Sequence, residues 1–273
     1  MAVVSRTWSR AVEAAAFIGA GVKPATFDEA VRIADRALIA TSDDGITVAA
    51  ESLARARMKS GVALHTCGGC GPEALAPLAR RGVACGVLHP LQTIASPEQG
   101  VRCLPGSTFG LTGEAKAIEW GRTLIECIGG RTLPIQPDRM AAYHAAAVMG
   151  SNALLAAVEA ALRLMEEAGI AREAALDAIA PLSRAALDNA LRLGPSAALT
   201  GPIARGDAGT VGSHLQALRS APSSVRELYK ATSWCLLELA RQRGVPATAL
   251  AAVAATLEAD TAGECNGKAG SRP

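Results

Sequence analysis

VALHTCGGCGPEALAPLARRGVACGVLHP, residues 62–90, decides the fold. Val62-Ala63-Leu64-His65 is an apolar run of strand length. The next six residues hold Gly68, Gly69 and Gly71, which break it. Residues 72–81 open with proline, where a helix loses nothing by the missing N–H. Residues 83–88 form a second apolar run that stops at His89-Pro90. Strand, turn, helix and strand in this order are the unit of a parallel sheet with crossover helices.

The same alternation extends both ways. Upstream, strands are expected at 2–5 and 36–41, with helices at 8–18, 28–34 and 46–58. Gly19 and Gly21 close the first helix. Downstream, residues 108–111 and 131–135 read as strands around a helix at 114–128. From Asp138 on no strand pattern appears. Helices are expected at 138–168, 171–193 with a break at Pro181, 207–218, 223–243 and 247–259. The expected organisation is an α/β domain over 1–136, an all-helical domain over 137–260, and a flexible tail over 261–273.

Composition supports a large aliphatic core. Of 273 residues, 50% are apolar but only 3% aromatic. A net charge of +2 gives no bulk electrostatic reason to bind nucleic acid or an acidic membrane surface. Arg6 and Arg10 interrupt any export signal. The seven cysteines are an odd number and read as reduced thiols of a cytoplasmic protein. Residues 140–158 come nearest to a membrane span, but Tyr143, His144, Ser151 and Asn152 lie among them. The expectation is a buried helix between two other elements.

Ligands of such sheets bind beyond the carboxyl ends of the strands. Ser5-Arg6 ends the first strand, where an arginine suits the extra phosphate of NADP; a solvated Arg opening a helix is the alternative. Thr41, Ser42 and Asp43 follow another strand, although Ser42 or Asp43 also suits a helix cap. His65, Cys67 and Cys70, with Cys85 and His89, have spacings of a zinc set or a thiol redox pair. The glycines favour a tight substrate-facing turn instead, and Cys85 falls inside a strand. His89 and Gln92 lie on the same rim. His144 and Ser151 share one helical stripe with Asn152 beside it, either as satisfied core groups or as a site. His144 can exchange a proton near neutral pH. Thr200, Arg205 and Asp207 join two helices; Arg205 suits a carboxylate and Asp207 suits an N-cap.

His89-Pro90-Leu91-Gln92-Thr93, Tyr143-His144-Ala145-Ala146-Ala147 with Ser151-Asn152, and Leu199-Thr200-Gly201-Pro202 with Arg205-Gly206-Asp207 together resemble one family. It combines a Rossmann-like domain with a C-terminal domain of unknown function (DUF 2520), and resembles the wider 6-phosphogluconate dehydrogenase and ketopantoate reductase superfamily. The resemblance runs from Val3 to about Ala259. It implies an N-terminal NAD(P)-binding domain, a helical domain that commonly dimerises, and a site in the cleft between them. Ser5 and Arg6 fall at the NADP 2′-phosphate. His144 and Asn152 stand in the stretch where superfamily enzymes carry a Lys and an Asn.

Two departures stand out. His65-Thr66-Cys67-Gly68 replaces the family's His-x-Ser-Gly. The first strand and its glycine-rich turn, roughly 25–30 residues of a usual βα unit, are missing before Ser5. This implies an upstream natural start or a truncated gene, and weak dinucleotide binding by the chain of 273 residues.

The expected function is NADPH-dependent reduction of a small keto acid or imine, with ketopantoate one candidate. His144, Asn152 and His65 are the expected catalytic residues. His89, Gln92, Ser151, Thr200, Arg205 and Asp207 are expected to bind substrate, and Ser5, Arg6, Thr41, Ser42 and Asp43 the cofactor. No metal is expected; a homodimer through the helical domain is. The rival expectation is a non-catalytic dimeric ligand-binding or scaffold protein of the same fold.

Overall fold

The computed structural model describes residues 1–19 and 21–267, with side chains as far as 260. The chain divides into two compact units, Met1–Ser151 and Asn152–Pro273, rather than at the 136/137 junction expected from the sequence. The difference is one helix, Met140–Met149, which groups with the first unit.

The first unit runs β1 (Ala2–Val3), α1 (Trp8–Ile18), β2 (Lys23–Pro24), α2 (Phe27–Ile33), β3 (Arg36–Ile39), α3 (Asp43–Arg55) and β4 (Val62–His65). A 3-10 turn at Pro72–Leu75 leads into α4 (Ala76–Ala79). Then follow β5 (Ala84–Pro90), α5 (Pro97–Cys103), β6 (Thr108–Gly113), α6 (Ala115–Cys127), β7 (Arg131–Pro134) and α7 (Met140–Met149). The main sheet has the order β3-β4-β5-β6-β7, while β1 and β2 form a separate parallel pair.

The sheet is mixed, not wholly parallel as expected. β3, β4 and β5 are parallel, and β6 runs antiparallel to β5. Parallel neighbours need a crossover that spans a sheet face. Residues 91–107 hold only the seven-residue α5, and Leu91 N–H already bonds Thr108 O across the turn back. The chain therefore returns beside the strand it has left. This places the start of β6 beside the end of β5, with His89 opposite Gly110.

Side chains alternate between the two faces of the sheet. Ala63 and Cys85 join Ile46, Ala50, Leu53, Leu75 and Leu78 in a core under α3 and α4. Val62, Leu64, Ala84 and Leu88 join Phe109, Leu111, Ala117 and Ile125 under α6. A fully buried side chain such as Leu64 contributes about 1.5–3 kcal/mol of transfer free energy. This two-sided core fixes the height at which β4 and β5 end, and so the position of the loops beyond them.

The second unit is helical: α8 (Asn152–Glu167), α9 (Arg172–Leu193), α10 (Pro195–Ala198), α11 (Gly201–Arg205), α12 (Ala208–Ala217), α13 (Ser223–Gln242) and α14 (Ala247–Gly267). Its core is built on Ile203, Val211, Leu215, Leu237, Val253 and Leu257. The single helix expected over 138–168 is two, divided at Gly150-Ser151. Glycine weakens a helix interior, and the Ser151 hydroxyl donates back to Ala147 O at 2.7 Å. α9 instead continues through Pro181. The carbonyl of Asp177, four residues earlier, loses its partner there, and Asp177 is exposed to solvent. The backbone of α14 is helical to Gly267, beyond the expected start of the tail; residues 268–273 lie outside the described residues.

Pro137–Glu167 is long and apolar enough to cross a membrane by length and composition alone. The expectation that this stretch is buried is corrected: 6% of its most apolar window is buried. Leu155, Leu182 and Leu191 on α8 and α9 are 71%, 65% and 77% exposed. The second unit thus presents large aliphatic side chains outside its own core.

Candidate active site

The site is built where β4 and β5 end. His65, Val87 and His89 share the sheet face of Ala63 and Cys85 by alternation. His65 is fully buried, and both ring nitrogens are engaged. Nδ1 accepts the Cys67 N–H at 3.3 Å, and Nε2 lies 3.0 Å from Gly71 O. Since a carbonyl only accepts, Nε2 carries the proton and the ring is neutral. Burial pushes its pKa below the ordinary value. His65 therefore holds both ends of the 66–71 turn. No nitrogen remains for a substrate, so the catalytic role expected of it gives way to a structural one.

The turn brings two other imidazoles together. A Cβ on Gly68 would stand 2.7 Å from His89 Nε2 and 2.8 Å from His144 Cδ2. A Cβ on Gly69 would lie 3.3 Å from His144 Nδ1. Only glycine lets both rings rest on the backbone here. The two rings meet edge to face, with centroids 5.8 Å apart. His89 Nδ1 is 2.9 Å from the Tyr143 hydroxyl. That hydroxyl lies against Gly110, where a Cβ would stand 2.6 Å from it.

The groups gathered here are half-buried, and burial favours their neutral forms. Burial, then neighbouring His144, lowers the pKa of His89, with Asp43 opposing. Burial raises the Tyr143 phenol. Burial and the Cys67 thiol push Cys70 up to about 12, which keeps that thiol protonated at neutral pH. Among the described residues no group of three or more His, Cys, Asp or Glu side chains is set to hold a metal ion. The zinc reading of His65, Cys67, Cys70 and His89 gains no support.

Other expected site residues are engaged locally. Gln92 ties its own loop, donating to Cys103 O and Ser107 Oγ and accepting from Thr93 N–H. In the second unit Thr200 is the N-cap residue of α11, with no side-chain cap bond. Asp207 caps α12, accepting from Thr210 N–H at 3.0 Å, and the exposed Arg205 lies 3.9 Å from it. Asn152 is the first residue of α8.

At the cofactor end, Ser5 and the exposed Arg6 follow β1, and Thr41, Ser42 and Asp43 follow β3. Asp44 is held below the usual carboxylate range, first by a hydrogen bond from Ser42 and further by Arg6. Arg6 is thus near the start of α3, on the rim where a 2′-phosphate is expected. Asp43 and Asp44 occupy the first turn of α3, where two carboxylates oppose a phosphate. Arg6 is the cation this rim offers to a ribose phosphate.

Tyr143 is the main residue that sequence reading left without a role. It is separated from His89 by 54 positions. Only the antiparallel placement of β6 and the packing of α7 bring Gly110, His89 and Tyr143 together.

Residues 107–234 match the family described as Domain of unknown function (DUF2520). The match begins one residue before β6, so it takes in the last strands of the sheet as well as helices. Protein TM1727 from Thermotoga maritima shares 23% identity and a TM-score of 0.70, over 88% of this chain and 90% of that one. An imine reductase from Myxococcus stipitatus in complex with NADP+ shares 18% identity and a TM-score of 0.54, over 88% and 84%. A pyrroline-5-carboxylate reductase from Coxiella burnetii shares 16% identity and a TM-score of 0.53, over 88% and 87%. These likenesses show the fold: a Rossmann-like α/β unit followed by a helical one. No curated protein sequence matches.

Proposed function

We propose that this protein is an NADPH-dependent reductase of a small carbonyl compound or imine. The carrying observation is the convergence of His89 and His144 on the Gly68-Gly69 turn, beyond the carboxyl ends of β4 and β5. Titratable groups gathered at that edge of such a sheet are the expected signature of a reaction centre. Fold neighbours crystallised as imine and pyrroline-5-carboxylate reductases support the class.

NADPH supplies a hydride when bound. The protein's own task is then to deliver one proton. A C=O or C=N bond reduced in this way would need that proton at its heteroatom, giving an alcohol or amine. His144 is assigned the proton: among the described residues no hydrogen bond ties either ring nitrogen, and the ring is half-buried beside the turn. Arg6 is assigned the 2′-phosphate. Small 2-oxo acids, ketopantoate among them, and cyclic imines are the substrates to try first. A cytoplasmic homodimer is proposed, with Leu155, Leu182 and Leu191 covered by a second copy.

The test is NADPH oxidation, followed by absorbance, over a panel of 2-oxo acids and imines, beside a thermal-shift titration with NADPH and NADH. Turnover that His144→Gln abolishes supports the reading. Neither turnover nor an NADPH shift, in a folded protein, refutes it. A shift without turnover supports the non-catalytic ligand-binding reading, which the two aspartates at the start of α3 favour.

A further inference from the structure

Resting on that reading, we propose that His89 acts as a neutral hydrogen-bond donor to the substrate's carbonyl oxygen or imine nitrogen, and that Tyr143 is the positioning residue that fixes its tautomer. Tyr143 Oη lies 2.9 Å from His89 Nδ1, and the Gly110 backbone, whose N–H can only donate, holds it from another side. With the phenol as donor to Nδ1, the ring proton sits on Nε2. Nε2 has no protein partner, yet it is not among the buried atoms left without one. It is therefore open to a ligand. Tyr143 meets the ring edge-on at 5.5 Å, and His144 meets it edge-on at 5.8 Å.

The groups facing His89 agree with a neutral ring. Tyr143 and His144 approach from α7 and His65 from β4; Asp43, at the start of α3, is the one opposing charge. A neutral imidazole N–H polarises a carbonyl without giving up its proton, which leaves protonation to His144. The two histidines thus have separate tasks, set by whether Nδ1 is held.

The experiment combines histidine 15N NMR with kinetics on wild type, Tyr143→Phe and His89→Phe. In the wild type His89 is expected to show one tautomer, Nε2–H, throughout about pH 6.5–8, the range above the ordinary histidine pKa. Tyr143→Phe is expected to give mixed tautomers and a kcat about tenfold lower with KM unchanged. His89→Phe keeps a ring without the donor, and kcat is expected to fall about 10²–10³-fold, as for loss of one oxyanion donor. A Nδ1–H tautomer in the wild type overturns the proposal, as does a tautomer unmoved in Tyr143→Phe. The NMR readout needs no turnover, so an inactive wild type sinks the reductase reading alone.

Discussion

Gly68→Ala tests the site through its backbone. The added methyl would meet His89 Nε2 at 2.7 Å, and His89 Cδ2 and His144 Cδ2 at 2.8 Å each. Comfortable non-bonded contact is about 3.5–4.0 Å, so both rings must withdraw by about 1 Å. No positive φ occurs at Gly68, so the cost comes from contact and not from backbone strain. Both rings are half-buried and can move outward. The stability loss is therefore expected at the low end of overpacking, about 1 kcal/mol. The functional loss is larger, because a displacement of about 1 Å in a catalytic group costs about 10²-fold in rate. Gly212→Ala in α12 is the control. Its nearest neighbour is Thr256 Cγ2 at an ordinary 3.5 Å, and a helical alanine there should add about 0.5–1 kcal/mol. Denaturant melts and kcat/KM on the panel give both readouts. If Gly68→Ala keeps kcat/KM within twofold while its melt falls, the rings over the turn are packing and not machinery.

His65 gives a pH dependence. Its folded pKa lies below the ordinary value, so as pH falls below about 6.5 the unfolded chain takes up the proton first. The stabilisation is complete above that pH and is lost toward the folded pKa, by up to about 1.4 kcal/mol per pH unit. His65→Gln should be less stable near neutrality and show a flatter acid limb in urea melts; an unchanged acid limb contradicts the neutral assignment. Asp260 answers both Arg226, at 2.7 Å, and the buried Lys230 Nζ, at 3.8 Å. Asp260→Ala is expected to cost about 3–5 kcal/mol, whereas Lys230→Met, which removes a buried ammonium with no hydrogen bond, should cost little or stabilise. Calorimetric melts check both. Leu155→Glu with Leu191→Glu should turn a dimer into a monomer in light scattering; a variant that stays dimeric places the interface elsewhere.

The β4–turn–β5 unit was legible because its signals are local: two apolar runs, a glycine turn and a proline at a helix start. β2 was not, since a two-residue strand has no periodicity to detect. The direction of β6 was equally hidden. An apolar run reads the same whether it pairs parallel or antiparallel, and only the length of the return connection decides. Because that return sets Gly110 against His89, the Tyr143 contact was hidden with it. His65 misled in another way: a histidine beside glycines looks available, but its two bonds go to backbone atoms only a few residues ahead. The apolar stretch from Pro137 misled because apolar composition by itself does not say that a helix is buried.

One physical device accounts for much of the site. Gly68 and Gly110 sit in different loops and strands, yet both omit a Cβ where a ring must touch backbone. At Gly68 this admits the His89 and His144 rings, and at Gly110 it admits the Tyr143 hydroxyl. Neither position has a positive φ, so conformational freedom does not explain the glycines. Clearance does. A ring resting on backbone that is itself held, by His65 at the turn and by the β5–β6 ladder at Gly110, cannot shift toward that backbone. Such seating is what a hydrogen-bond donor needs if it is to meet developing charge without reorganising. The two glycines, which sequence reading takes for turn and strand punctuation, are on this account what keeps the two histidines in different roles.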